Sequence, residues 1–162
     1  MSHFDKAFDD LLANEGGYSD NPHDPGGRTM YGITEDVARA EGYKGDMRML
    51  SKQSAQAIYR RLYWADWFDD LPYQVAFALF DTAVNSGTGQ AARILQRTLG
   101  VAVDGVVGPK TKEVMQQVEP MALFIRYNAA RLEFLAGLPN WQHFGRGWAL
   151  RIVNNLRKGA MT

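Results

Sequence analysis

Apolar residues at helical spacing open the chain and constrain its fold more than any other feature. Five of them fall at positions i, i+3, i+4, i+7 and i+8, which form one face of an α-helix: Phe4, Ala7, Phe8, Leu11 and Leu12. Similar spacing recurs along most of the 162 residues, and glycine or proline interrupts it at intervals. The pattern therefore predicts a mainly α protein.

The segment 18–34 breaks this helical pattern. It is crowded with Asp, Asn, Pro and Gly, which favour turns, so we expect at most a small hairpin or irregular sheet there. The predicted fold is thus mainly α, a helical bundle with one small β element after the first helix. Helices are predicted from the N-terminus to Gly16-Gly17 and over 34–42, 51–68, 72–84, 90–99, 110–118, 120–136 and 142–157.

Composition excludes several classes of protein. The chain has no cysteine, which removes disulfides, thiolate zinc sites and a cysteine nucleophile. No apolar run approaches the roughly 20 residues of a membrane helix, and the acidic start lacks the basic segment of a secretory signal. The three histidines are isolated, and no dinucleotide or phosphate-loop motif is complete. We expect no cofactor, no metal and no nucleic-acid partner.

The net charge of zero hides an asymmetry between the two halves of the chain. Residues 1–81 hold 8 basic and 14 acidic side chains, whereas residues 82–162 hold 10 basic and 4 acidic ones. Residues 139–162 carry four basic side chains and no acidic one. The basic half favours contact with an anionic wall or membrane surface, and a merely solvated basic face is the alternative.

Glu15 is the first candidate for catalysis. It follows Leu11 by four residues and therefore shares the apolar face of the first predicted helix. Burial there would raise the pKa of its carboxyl, as a general acid at neutral pH requires. The alternative is that the helix frays before Glu15 and leaves it exposed.

Asp24 is the second candidate, in an Asp-Pro-Gly-Gly turn. A pair of carboxylates beside a groove can hydrolyse a glycosidic bond, because one protonates the leaving oxygen and the other assists water or the developing cation. Thr29, five residues on, could orient that water. The alternative for Asp24 is a turn residue that only hydrogen-bonds its own backbone.

Three short motifs make the chain recognisable. Glu15-Gly16-Gly17-Tyr18, Asp24-Pro25-Gly26-Gly27-Arg28-Thr29 and Tyr31-Gly32-Ile33-Thr34 closely resemble the signature of glycoside hydrolase family 108. The segment from Asp81 to Gly87 is similar to the end of that family's central helix. Further residues resemble its C-terminal predicted peptidoglycan-binding region: Gln96, Leu99, Gly100, Asp104-Gly105, Gly108-Pro109 and Thr111.

The resemblance implies a lysozyme-like α+β fold and two regions packed as one compact unit, a catalytic lobe over 1–88 and a helical lobe with the peptidoglycan-binding region over 89–162. Family members are phage and prophage endolysins and related bacterial muramidases. By resemblance, Glu15 matches the family's catalytic glutamate, and Asp24 and Thr29 match further residues of the motif. No metal site is implied.

Sugar-binding sites need planar apolar faces with polar rims. The candidates are Tyr18, Tyr31, Tyr63, Trp64 and Trp67, each of which could instead be a core residue. Asn85 could hydrogen-bond an N-acetyl group, or it could simply be a helix C-terminal residue.

The predicted function is an endolysin that cleaves the β-1,4 bond between N-acetylmuramic acid and N-acetylglucosamine and so lyses bacteria. A lytic transglycosylase and a non-catalytic wall-binding or phage structural protein are the alternatives. The expected partner is the peptidoglycan glycan strand, and the expected state is a monomer. We expect synthesis in the host cytoplasm and action at the cell wall or periplasm after release through a partner pore.

Overall fold

The computed structural model describes residues 1–13, 17–20 and 27–162. The chain forms two compact units, Met1–Asp69 and Asp70–Thr162. The division predicted from the sequence, 1–88 and 89–162, rests on family resemblance and stays a prediction. No helix in the described ranges is long and apolar enough to cross a membrane.

The first unit combines three helices with a small sheet. Its elements in chain order are α1 (His3–Leu12), β1 (Ser19–Asp20), β2 (Arg28–Met30), β3 (Ile33–Thr34), α2 (Glu35–Ala40), a 3₁₀ turn (Met47–Met49) and α3 (Lys52–Tyr63).

Side-chain caps define where the helices of the first unit begin. Ser2 and Asp5 form a reciprocal capping box at the start of α1. Thr34 accepts the Val37 N–H at the start of α2, and Ser51 accepts the Ser54 N–H at the start of α3. A cap of this kind is worth about 1 kcal/mol, and each begins its helix where the sequence predicted.

The sheet is antiparallel, with β2 between β1 and β3. Thr29 pairs with Ser19 on one side and with Thr34 on the other, while Met30 pairs with Ile33. Residues opposite each other share a face, and successive residues alternate between faces. Buried Ile33 therefore marks the core face, and Thr29 lies on the other.

The second unit is helical. It contains α4 (Tyr73–Ser86), α5 (Thr88–Leu99), α6 (Pro109–Gln116), α7 (Pro120–Ala136) and α8 (Trp141–Gly159). Helix α4 is buried on every side from Val75 to Ala83, and it packs against α5, α7 and α8. A helix that is apolar all round belongs at the centre of a bundle.

The predicted fold class is confirmed: the described residues are mainly α, with one small antiparallel sheet after the first helix, consistent with a lysozyme-like fold. Two predicted helix ends are wrong. Helix α1 ends at Leu12, where its apolar pattern ends, before the predicted glycine pair. Helix α3 ends at Tyr63 because Trp64 is extended, and a 3₁₀ turn (Asp66–Asp70) follows it.

Candidate active site

The sheet positions Thr29 at the centre of a row of hydroxyl side chains. Ser19, Thr29 and Thr34 lie opposite one another on the three strands, on the face away from Ile33. Thr29 is half-buried. The middle strand is paired on both sides, so the position of Thr29 is fixed by two ladders.

The β2–β3 hairpin has a two-residue turn with positive φ at both positions, 54° at Tyr31 and 75° at Gly32. Such turns match the twist of the flanking strands, but they favour Asn or Gly at the first position. Tyrosine in the left-handed region costs roughly 1–2 kcal/mol. The Tyr59 hydroxyl donates a 2.9 Å hydrogen bond to the Tyr31 carbonyl and anchors the turn.

Tyr59 is itself fixed by the core of the first unit. It is 1% exposed, and its ring centroid lies 5.4 Å from that of Phe8 on α1. The hairpin next to Thr29 is therefore tied through one hydrogen bond to the packing of α1 and α3. The sequence did not single out Tyr59, because its partner lies 28 residues away in the chain.

Tyr18 belongs to an exposed polar cluster at the edge strand β1. Its hydroxyl donates to Asp20 at 3.4 Å, and Arg28 forms an ion pair with Asp20 at 3.6 Å. The Arg48 guanidinium lies 5.3 Å from the Tyr18 ring centroid, within cation–π range. Hydrogen bonding to Tyr18, together with the charges of Tyr18 and Asp46, raises the pKa of Arg48.

The cluster thus combines two arginines, one of them paired with Asp20, beside an aromatic ring. The sequence missed Arg48. No local pattern marks it, because the tertiary fold brings the 3₁₀ turn at Met47–Met49 against β2.

Tyr63 and Trp64 differ in exposure. Tyr63 is half-buried, with its ring 5.7 Å from Tyr59, and burial followed by the charge of Glu41 raises its pKa. Trp64 is only 5% exposed and packs edge-on against Phe4 and Phe68. The structure thus places Trp64 in the core, where its ring offers a sugar little surface.

The remaining predicted sugar contacts belong to different units. Trp67 is half-buried, with its ring 4.7 Å from that of Phe68. Asn85 is exposed in the last turn of α4 and belongs to the second unit, whereas the predicted tyrosines belong to the first.

The two predicted catalytic carboxylates lie outside the described residues. Glu15 is within 14–16 and Asp24 within 21–26. In the sequence, the first segment joins α1 to β1 and the second joins β1 to β2. The described ranges contain no group of three His, Asp or Glu side chains that could hold a metal ion.

The second unit contains a buried charge cluster that the sequence did not predict. Asp81 on α4 is fully buried and accepts hydrogen bonds from Arg131 at 2.7 Å, Arg151 at 3.0 Å and Asn155 at 2.7 Å. Burial raises the pKa of the Asp81 carboxyl, but the two arginines outweigh burial and hold it below its usual range. One carboxylate thereby joins α4, α7 and α8.

Two family models match the chain. Residues 8–87 match the model described as glycosyl hydrolase 108, and residues 90–153 match a model described as a predicted peptidoglycan domain. Among solved structures, the chain is similar to SagA from Brucella abortus, with 37% identity and a TM-score of 0.86. That alignment covers 98% of this chain and 94% of SagA. No curated protein matches.

Proposed function

We propose that this chain, which belongs to glycosyl hydrolase family 108, is a muramidase that hydrolyses the β-1,4 bond between N-acetylmuramic acid and N-acetylglucosamine. The family and the second domain support a glycoside hydrolase whose substrate is peptidoglycan. The observation that carries the proposal is the family match over residues 8–87, which includes the Glu15, Asp24 and Thr29 motif.

In the proposed reaction, Glu15 is the general acid. It protonates the glycosidic oxygen while positive charge develops on the sugar ring, a step worth about 10²–10⁴-fold in rate. Asp24 stabilises that cation or activates the attacking water. Thr29 orients the water, and its half-buried hydroxyl on the middle strand supports this role.

Glycan binding is assigned to the partly exposed aromatic residues of the first unit. Tyr18, Tyr31 and Tyr63 would stack on sugar rings, while Arg28 and Arg48 would attract the carboxylate of the muramic lactyl group or of the attached peptide. Asn85 is proposed to hydrogen-bond an N-acetyl group. Trp64 would support these residues from the core.

The biological setting is proposed from the sequence. The enzyme would act as a phage endolysin and lyse bacteria as a monomer, after synthesis in the host cytoplasm and release through a partner pore. The basic half would contact an anionic wall or membrane surface. Exposed Arg146 and Arg157, on α8, support that contact.

Replacing Glu15 tests the proposal. Glu15→Gln keeps the shape of the side chain but cannot donate a proton at neutral pH, so clearing of purified peptidoglycan should slow at least about 100-fold. The matched control is Glu35→Gln, which removes an exposed carboxylate paired with Arg39 and should clear walls at the parent rate. If Glu15→Gln retains activity within about threefold of the parent, Glu15 is not the acid.

A further inference from the structure

A groove in the second unit lies outside the candidate active site. It runs between the C-terminal turns of α5 and α7, and its volume is about 590 Å³. Its lining combines apolar and charged residues, chiefly Ile94, Arg97, Thr98, Glu133, Phe134 and Leu138. Pockets of about 300–1,000 Å³ suit small ligands, and this one lies wholly within the region that matches the peptidoglycan domain.

The groove holds two opposite charges that do not neutralise each other. Arg97 and Glu133 are both exposed, one in the last turn of each helix. Among the residues that the structure describes, neither forms an ion pair within 4 Å. The groove can therefore offer a cation and an anion to one ligand at the same time.

Backbone groups add negative charge to the groove, and a hydrogen bond holds its two helices together. The C-terminal ends of α5 and α7 both carry partial negative charge, which favours a cationic ligand group beside Glu133 and leaves Arg97 to attract an anionic group. The Arg126 guanidinium donates a 2.7 Å hydrogen bond to the Thr98 carbonyl and so ties the end of α5 to α7. Half-buried Phe134 and Leu138 supply an apolar floor.

We propose that this groove binds the stem peptide of peptidoglycan, with Arg97 on the C-terminal carboxylate of the peptide and Glu133 on the side-chain ammonium of the diamino acid. This inference rests on the proposed function, because it takes peptidoglycan as the substrate. A stem peptide is short, carries alanine methyl groups for the apolar floor and bears both charges. A glycan strand has no ammonium group for Glu133, so charge complementarity favours the peptide.

The two proposed ion pairs can be tested by changing the protein side chain and the matching charge on the peptide, separately and together. The probe is N-acetyl-L-Ala-γ-D-Glu-L-Lys-D-Ala, titrated into the full-length ¹⁵N-labelled chain, and it should shift groove amides. Amidating the C-terminal carboxylate should weaken binding to the parent by about threefold to fivefold, the size of an exposed ion pair. Arg97→Gln should bind the acid and the amide equally, and Glu133→Gln should bind the free and the acetylated lysine equally.

Matched controls remove equal charges outside the groove. The controls are Arg93→Gln on α5 and Glu113→Gln on α6. Neither residue lines the groove. Both variants should discriminate between the probes as the parent does. The assignment is wrong if the peptide does not bind, if shifts appear elsewhere, or if Arg97→Gln still prefers the acid.

A parallel assay separates this inference from the proposed function. Both groove variants should cleave peptide-free glycan strands at the parent rate. If the parent binds the peptide but does not cleave such strands, the proposed muramidase activity is wrong and the peptide-binding groove is still supported. If the parent cleaves the strands but does not bind the peptide, only the proposal for the groove is wrong.

Discussion

The two compact units differ in how deeply they bury ion pairs. Among the described residues of the first unit, each ion pair has at least one solvent-exposed side chain, and both are exposed in the pairs between Lys52 and Asp9 and between Arg60 and Asp69. In the second unit Asp81 and Arg131 are completely buried. Exposed pairs contribute about 0–1 kcal/mol each, whereas a buried charge deprived of its partner is costly.

The difference in ion-pair burial accompanies a difference in how the two units are built. In the first unit, two- and three-residue strands carry the motif residues Thr29 and Thr34, and a hairpin with a strained tyrosine lies beside Thr29. The second unit is built of five longer helices, three of which are joined by one buried carboxylate. Binding residues in proteins commonly lie on loops that a rigid scaffold positions.

The largest expected effect is on stability, from removing one carboxylate in each unit. Asp81→Asn should lower the free energy of unfolding by about 3–5 kcal/mol, because Arg131 keeps its charge in a buried site without its counterion. Asp69→Asn removes an exposed partner of Arg60 and should cost less than about 1 kcal/mol. If urea unfolding shows that the two variants lose equal free energy of unfolding, the proposed difference between the units is wrong.

Lowering the pH should reduce the destabilisation caused by Asp81→Asn. The pKa of Asp81 is held below its unfolded value of about 3.9, so its contribution is complete above about pH 4 and is lost as pH falls through the folded pKa. The stability difference between the parent and Asp81→Asn should therefore shrink below about pH 4. A difference that grows as the solution becomes more acidic would reverse the sign of the interaction.

A smaller loss of stability is expected from removing one tyrosine hydroxyl in each unit, and only the hydroxyl of Tyr59 should also affect catalysis. Tyr59→Phe removes the hydrogen bond to the Tyr31 carbonyl and should cost about 1 kcal/mol, with a fall in kcat because the turn beside Thr29 loosens. Tyr127→Phe removes a buried hydrogen bond to the Ala91 carbonyl in the second unit. It should cost similar stability and leave kcat unchanged at a temperature where both variants are folded.

The smallest stability change is expected at Tyr31. Tyr31→Asn places a residue that tolerates positive φ at the turn, so stability should stay level or rise by up to about 1 kcal/mol. If the ring binds glycan, KM should rise while the protein becomes no less stable. An unchanged KM would mean that Tyr31 serves only the turn.

Much of the fold was predictable because its signals are local. Apolar spacing gave the helices, and caps such as Thr34 and Ser51 marked two starts within one residue. The end of α3 was mispredicted, because apolar residues continue past Tyr63 while Trp64 is extended and packs against Phe4 and Phe68. Tertiary contact there overrides helical periodicity.

The candidate site was predictable only in part, since its motif residues are close in sequence but their supports are not. Thr29 and Tyr31 could be named from the motif, whereas Tyr59 reaches the hairpin from 28 residues away and Arg48 reaches Tyr18 from 30 residues away. The roles of Glu15 and Asp24 remain predictions. Asp81 was visible as an acid in an apolar helix, but its partners lie 50 and 70 residues on.

The most direct test of the proposed muramidase is product analysis of purified peptidoglycan digested in H₂¹⁸O. Hydrolysis at the proposed bond should place one ¹⁸O atom at a reducing-end N-acetylmuramic acid, as read by mass spectrometry, and Glu15→Gln should yield almost none of this product. A 1,6-anhydro end without ¹⁸O would instead identify a lytic transglycosylase. Label at a reducing-end N-acetylglucosamine would place the cleavage at the other glycosidic bond and contradict the proposal.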